Sequence, residues 1–272
     1  MIVLRLKSWR SAGVAAALGL AACGGEAGEQ GEAGEGGEAG EGGAEAPATP
    51  AATASAGGGE AGEAGAASAY AGLSGDQLTA LRIQHLRGFV MAAANVLADE
   101  NRSPTAAADA AVLVQQGLLE VYDVAPNQFG DLNVAIVRAA ADGSLNRAQL
   151  MQRVRASDAE FNRALGELDV DYAVLTARMV DIATGLYQGV VQEDFVDPIE
   201  YQHSMGAARA AQASLNQDAL QRRNIGAYLE AQRELQRFVD LWPQATAPER
   251  PASYGQVLAQ GSRVRLALSP FL

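Results

Sequence analysis

From Ser74 onward, the apolar residues of this 272-residue chain recur at intervals of three and four, in long runs separated by short polar or proline-bearing links. That spacing places them on one face of an α-helix. No run of period-two alternation flanked by hairpin turns competes with it. Helices of about 18–24 residues joined by short links bury their stripes best as an antiparallel bundle. The expected fold class is therefore all-α, an antiparallel helical bundle.

Local signals set the expected helices. Ser74-Gly75-Asp76-Gln77 reads as a capping box opening a helix that runs to about 99. Ser103-Pro104 opens a second, running to about 123, with Val112, Gln115, Leu119 and Tyr122 as its apolar face. A short helix within 131–141 should end at Asp142-Gly143. The next spans about 145–168, on Leu150, Val154, Phe161, Leu165 and Leu168. Another spans about 171–192, on Tyr172, Leu175, Met179, Ile182 and Leu186. Asp197-Pro198-Ile199-Glu200 supplies a cap, an N-terminal proline and an early acid for a further helix. Tyr228, Ala231, Leu235, Phe238 and Trp242 mark a helix over about 218–241 that Pro243 stops. A last short helix is expected near 252–266.

The chain has two histidines, and both stand in one context: "QHLRGFVMAAANVL" from Gln84 and "QHSMGAARAAQASL" from Gln202. Aligned, they share Gln84/Gln202, His85/His203, Gly88/Gly206, Ala92/Ala210, Ala93/Ala211 and Leu97/Leu215. Each copy begins a helix, and each is followed by a helix ending near an aromatic, Tyr122 or Trp242. The pattern resembles an internally duplicated helical hairpin. Histidine at i and glycine at i+3 share a helical face. Glycine there costs about 1 kcal/mol of helix propensity relative to alanine. A cost placed twice points to a packing role: Gly88 and Gly206 should let a partner helix approach beside the imidazoles, with Ala92 and Ala210 extending the slot. If the hairpins pack about a pseudo-twofold axis, His85 and His203 face one interior. There they either hydrogen-bond across the helix interface or help hold a transition metal or haem-like ligand. Neutral imidazole suits iron, copper and zinc. Further ligand candidates are Glu120 and Tyr122 at the end of the second helix, and Glu200 and Tyr201 at the start of the later one. Glu200 also has a capping role open to it. No Glu-x-x-His pair of the di-iron bundle type is present.

The N-terminal part has a different character. Arg5, Lys7 and Arg10 precede the apolar run "SAGVAAALGLAA", which is too short for a permanent span. Leu20-Ala21-Ala22-Cys23 resembles the lipobox of bacterial lipoproteins. The resemblance implies that residues 1–22 are a signal peptide and that Cys23, the lone cysteine, carries a diacylglyceryl group on its sulfur and a fatty acyl chain such as palmitate on its amine. Several acyl chains would give firm membrane anchoring. Gly24, rather than aspartate, leans toward the outer over the inner membrane. Residues 24–70 contain nine glutamates, no basic residue and almost nothing apolar larger than alanine. Such a stretch cannot offset its ordering entropy by burial. Segment 23–70 is thus expected to be a lipidated, disordered tether; a glutamate-rich cation sponge is the second reading. Residues 71–272 form the helical domain, long enough for a real core.

Within 71–272, 17 arginines face 23 acids, and the only lysine of the chain is Lys7. That leaves no basic patch to argue for nucleic acid and opposes binding to anionic headgroups. No Gly-x-Ser-x-Gly motif, phosphate-cradling loop or free nucleophilic cysteine supports an enzyme.

"LYQGVVQEDFVDPIEYQHSMGAA" resembles a periplasmic segment of bacterial iron-permease proteins, through Tyr187, Val190, Asp194, Val196, Glu200 and Tyr201. Imelysin-like periplasmic proteins are similar in architecture. The chain departs from them where Gly88 and Gly206 replace the glutamate three residues after histidine. The resemblance implies a periplasmic accessory in iron or copper transport or homeostasis, with a metal transporter or another envelope protein as partner. The expectation is a non-enzymatic, lipid-anchored, periplasm-facing binding protein. The alternative is a structural or interaction lipoprotein of the envelope.

Overall fold

The centre of the fold is a crossing of two helices at two glycines. The computed structural model describes residues 66–99, 103–192, 195–215 and 218–272. The expected signal peptide, Cys23 and the tether as far as residue 65 lie outside them. Helix α1 (Gly75–Ala98) carries His85, and α6 (Pro198–Leu215) carries His203. A Cβ on Gly88 would lie 3.2 Å from the Ala207 nitrogen. One on Gly206 would overlap the Gly88 carbonyl oxygen and stand 3.0 Å from the Ala92 Cβ. Gln84 Nε2 donates to the Ala210 carbonyl at 2.6 Å. Position 84 thus faces 210 as 88 faces 206, an antiparallel crossing in which the two copies of the motif meet about a local pseudo-twofold. Ala92, Ala93, Ala210 and Ala211 are all fully buried, so the slot inferred from the glycines extends as expected.

The remaining helices pack around this pair. Helix α2 (Ala106–Gly117), continued by a π-helical turn Leu118–Tyr122, lies on α1, as does α4 (Arg147–Gly166). Helices α5 (Tyr172–Tyr187) and α8 (Ile225–Val239) lie on α6, and α9 (Tyr254–Leu268) packs on both α5 and α8. The short α3 (Val134–Arg138) rests on α4, and α7 (Asp218–Arg223) precedes α8. The fold is all-α, and its elements begin where their caps dictate. Asn146 with Gln149 and Ser253 with Gln256 form reciprocal capping boxes. Asp171 caps α5, Asp197 takes the amides of Ile199 and Glu200, and Asn224 divides α7 from α8 by capping the latter.

Five expectations change, the first being that the single helix expected over about 218–241 is divided at Asn224. Ser74 makes no side-chain cap. Its expected partner Gln77 instead exchanges hydrogen bonds with the backbone of Asp171, which joins the starts of α1 and α5. The buried face of α2 is Ala106, Ala110, Leu113, Val114 and Gly117, while Val112 and Leu119, expected inside, are 49% and 56% exposed. Helix α5 ends at Tyr187, short of 192, because the chain turns through Gly189 into a two-residue antiparallel ladder, β1 (Val191–Gln192) and β2 (Phe195–Val196). Finally, residues 66–70, grouped by composition with the tether, fold onto the bundle. Ala66 and Ala69 are buried, and a 3-10 turn (Ser68–Tyr70) delivers Tyr70 to α1.

The two glycines are not equivalent. Gly206→Ala drives a methyl into backbone, which a packed core does not absorb, at a cost of about 2 kcal/mol or more net of the helix propensity gained. Gly88→Ala makes tight contacts only, so the neighbours need give by tenths of an ångström. Thermal unfolding should show Gly206→Ala lowering the melting temperature well below that of Gly88→Ala. Equal melting temperatures would mean that the crossing is looser than described.

Candidate functional site

His85 occupies the outer end of the crossing, and its surroundings are almost all apolar. The ring is 7% exposed. Tyr70 OH lies 2.6 Å from Nδ1, and the Phe89 ring is 5.7 Å away between centroids. Phe89 also packs on His203, at 4.6 Å. The second imidazole has its own partner: His203 Nε2 stands 3.1 Å from Gln116 Oε1, on α2. The motif places the histidines symmetrically, but their neighbours break the symmetry. Where the first copy has Phe89, the second has Ala207. One phenyl ring therefore contacts both imidazoles. It fits because α2 has glycine opposite: a Cβ on Gly117 would lie 2.6 Å from Phe89 Cγ.

Gly117 is also where α2 loosens. The next turn, Leu118–Tyr122, is π-helical, a geometry that recurs as single turns, often at functional sites. That turn forms one wall of a cleft of about 550 Å³. Leu119, Glu120 and Val121 line it from the π turn, Ala66 and Tyr70 from the N-terminal turn, and Arg82, His85 and Phe89 from α1. The Arg82 guanidinium lies over the Tyr70 ring, 4.6 Å from its centroid, and its Nε donates to Gln128 Oε1.

The protons of the Tyr70–His85 pair are set by an accounting of partners. Burial holds the imidazole neutral, with its pKa lowered to about 3; His203 and Arg82 act in the same direction. Burial raises the Tyr70 phenol well above its ordinary value, against a smaller opposing effect of Arg82. Both groups are therefore uncharged at neutral pH, and a neutral imidazole carries one N–H. If Nδ1 held it, the Tyr70 hydroxyl hydrogen and the Nε2 lone pair would both be left over. If Tyr70 donates to Nδ1, a single N–H at Nε2 is left. The second assignment wastes less, and Nε2 has no partner among the described residues. A buried N–H left unpaired costs about 1–3 kcal/mol.

The expected metal ligands do not form one set. Among the described residues no three His, Cys, Asp or Glu side chains come together to hold a metal ion. Of the six candidates, only His85 and Glu120 share the cleft. Tyr122, at the end of the π turn, packs on Phe129 with Arg138 over its face. Tyr201 donates to the Gln244 carbonyl, and burial pushes its hydroxyl up to about 12. Glu200 is buried beside Gly189, where an added Cβ would meet its Cγ at 3.2 Å. The two imidazoles were expected to share an open interior, and Phe89 fills it by packing on both rings. In the sequence nothing marks Arg82, Phe89 or Leu119 as cleft residues. Tyr70 does carry a signal, being the only aromatic in residues 24–70.

No family model matches the chain, and no curated protein or solved structure matches it either.

His85 gives stability a pH dependence. Its folded pKa is about 3, against about 6.5 in the unfolded chain. Between those values the unfolded chain holds the extra proton, so stability falls as pH falls through that window, by up to about 1.4 kcal/mol per unit. Above about pH 6.5 the contribution is constant. Urea titrations at several pH values should show the wild type losing stability toward pH 4 more steeply than His85→Gln. Parallel curves would show that His85 is not buried neutral.

Proposed function

We propose that this chain is a lipid-anchored protein of the bacterial envelope, facing the periplasm. Its helical body binds a small molecule in the cleft beside His85 without transforming it. The observation that carries this reading is the Nε2 of His85. That nitrogen has no partner among the described residues, and its residue stands at one end of a cleft of ligand size. The π turn and the Gly117 notch that admit the cleft's floor point the same way. The anchor reading rests on Leu20-Ala21-Ala22-Cys23 after a basic, apolar start, with an outer-membrane preference drawn from Gly24. Among the described residues, no helix is long and apolar enough to cross a membrane. Metal handling, the theme of the iron-permease resemblance, would need a lone pair at Nε2, where the hydrogen-bond accounting puts a proton.

The rival reading, a purely structural envelope lipoprotein, has one observation of its own. Val191, Phe195 and Ile199 present exposed apolar side chains along the hairpin and the start of α6. Docking there would leave the cleft without a role.

Two measurements test the proposal. An alkyne fatty acid fed to producing cells should label the wild type and not Cys23→Ala; label on neither removes the anchor. The full chain carrying Cys23→Ser should take up one molecule of the neutral fluorophore 1-aminoanthracene, and Leu119→Trp should block uptake by filling the cleft. Absence of saturable uptake in the parent chain favours the structural rival.

A further inference from the structure

A second groove, separate from the His85 cleft, has a charge pattern of its own. Helices α4 and α6 both pack on α1, and a groove of about 600 Å³ is lined by all three. Val90, Met91, Ala94 and Ala98 of α1 form its floor, with Met151 and Val154 of α4 beside them. Most of its polar groups are engaged. Asp158 accepts from Arg87 Nε at 2.8 Å, Asn95 donates to the Met91 carbonyl, and Gln212 donates to Gln236. Arg155 of α4 and Arg209 of α6 are different: neither guanidinium has a hydrogen-bond or ion-pair partner among the described residues. The stem of Arg209 is sunk in the wall, with Nε buried, and its two terminal nitrogens reach the surface.

The register of the helices puts both cations toward one end. Arg87 on Asp158, and Arg147 Nε on the Leu97 carbonyl at 2.7 Å, fix α4 antiparallel on α1. They bring the backbone of Arg155 level with Val90. The glycine crossing, in which 84 faces 210 and 88 faces 206, roots Arg209 beyond that same end. The paired Asp158 is also rooted there. From Val90 toward Ala98 the walls are Met91, Ala94, Met151 and Ala98, with the amide of Asn95 tied to its own helix. This apolar run follows about eight residues of α1, or about 12 Å, the extended length of about ten carbons.

We propose that this groove binds a medium-chain alkanoate, a single-chain fatty acid anion taken from solution. Arg155 and Arg209 hold its carboxylate, and its chain lies along α1 toward Ala98. Guanidinium donors match a carboxylate in charge and geometry, and the two methionines adapt to a flexible chain. A phospholipid would leave its second chain in water. A neutral alcohol would leave the guanidiniums without a counter-charge, and a bare anion would forgo the apolar run. Residues 24–65 of the chain itself carry acids but almost nothing apolar larger than alanine to lay on that run. The inference does not depend on the His85 cleft.

The test is a series with one tail and different heads: decanoate, 1-decanol and decylammonium. Each is titrated by calorimetry into the full chain carrying Cys23→Ser, at neutral pH, low salt and concentrations too low for micelles. Decanoate should bind one to one, more tightly than the alcohol by about tenfold, the size expected for a charge-assisted pair over a neutral one. The ammonium should bind more weakly than both. Octanoate should bind several-fold more weakly than decanoate, because less chain is buried. Added salt should weaken decanoate and leave the alcohol unchanged. Arg155→Gln with Arg209→Gln should bring decanoate down to the alcohol, and lysine at both positions should keep part of the preference. Ala94→Phe should reduce binding of every member by filling the floor, whereas Leu119→Trp, in the other cleft, should leave it intact.

Equal binding of decanoate and the alcohol, or no saturable binding of decanoate, overturns the inference. So does binding that Leu119→Trp abolishes, since the ligand then occupies the His85 cleft. Phosphatidylglycerol vesicles that capture the chain through the same two arginines, with decanoate not binding, would make the groove a membrane contact instead. The head-group comparison uses the parent chain alone, so a misfolded variant cannot obscure it.

Discussion

The close backbone approach of Gly88 and Gly206 is the constraint on which the rest of the bundle depends. Two helices that meet without side chains between them must bury everything adjacent. The histidines stand three residues before the glycines, on the same faces, so both are carried inside at 7% and 4% exposure. At His85 burial keeps the imidazole neutral, because charging it would forfeit hydration that the surroundings do not replace. Each ring must then find a partner for its polar atoms. His203 finds Gln116 on α2, and His85 finds Tyr70 on the turn that precedes the bundle. The second of these solutions leaves the other ring nitrogen, Nε2, without a partner among the described residues.

The symmetry of the motif and the asymmetry of the site have one origin. Gln84 donates to Ala210 across the crossing, which joins the head of one copy to the body of the other. Its counterpart Gln202 does not return the contact: it donates to the Ala245 carbonyl in the loop after α8. Phe89 in one copy and Ala207 in the other complete the divergence. A phenyl ring on one side of a glycine crossing needs a hole on the facing helix, which Gly117 supplies, and the helix beyond that hole opens into a π turn. One residue's bulk thus propagates into the shape of a cleft.

How much of this is legible in the sequence depends on which residues carry each contact. Helices α4, α5 and α8 pack through large side chains in their own stripes, such as Phe161, Met179 and Phe238, and the spacing of those residues gives both the element and its buried face. Helix α2 buries only two large side chains, Leu113 and Val114, among the small residues Ala106, Ala110, Ala111 and Gly117. Small residues contribute little hydropathy, so Val112 and Leu119 suggest the wrong face. The glycine crossing is readable because glycine in mid-helix has a cost that invites a reason. The role of Gln77 is not readable, since its partner Asp171 lies 94 residues away. Tyr70 is hidden by its neighbourhood: composition averages over a window, and the window ahead of it is rich in glycine, alanine and glutamate. The metal set draws on donors that each occur near a helix end, but nearness in sequence does not aim side chains at one point. Tyr201 and Tyr122 are spent on the Gln244 carbonyl and on Phe129.

The N-terminal turn has a mechanical side. Tyr70 is held to the body by stacking under Arg82 and by its hydroxyl on His85, and it stands only four residues after Ala66, where the described chain begins. Ala66 and Ala69, buried on the bundle, hold the backbone of that turn in place on the approach to the phenol. Displacing the phenol would release Nδ1 and let the buried imidazole exchange tautomers, so the protonation pattern of the core is set by a residue that precedes the first long helix.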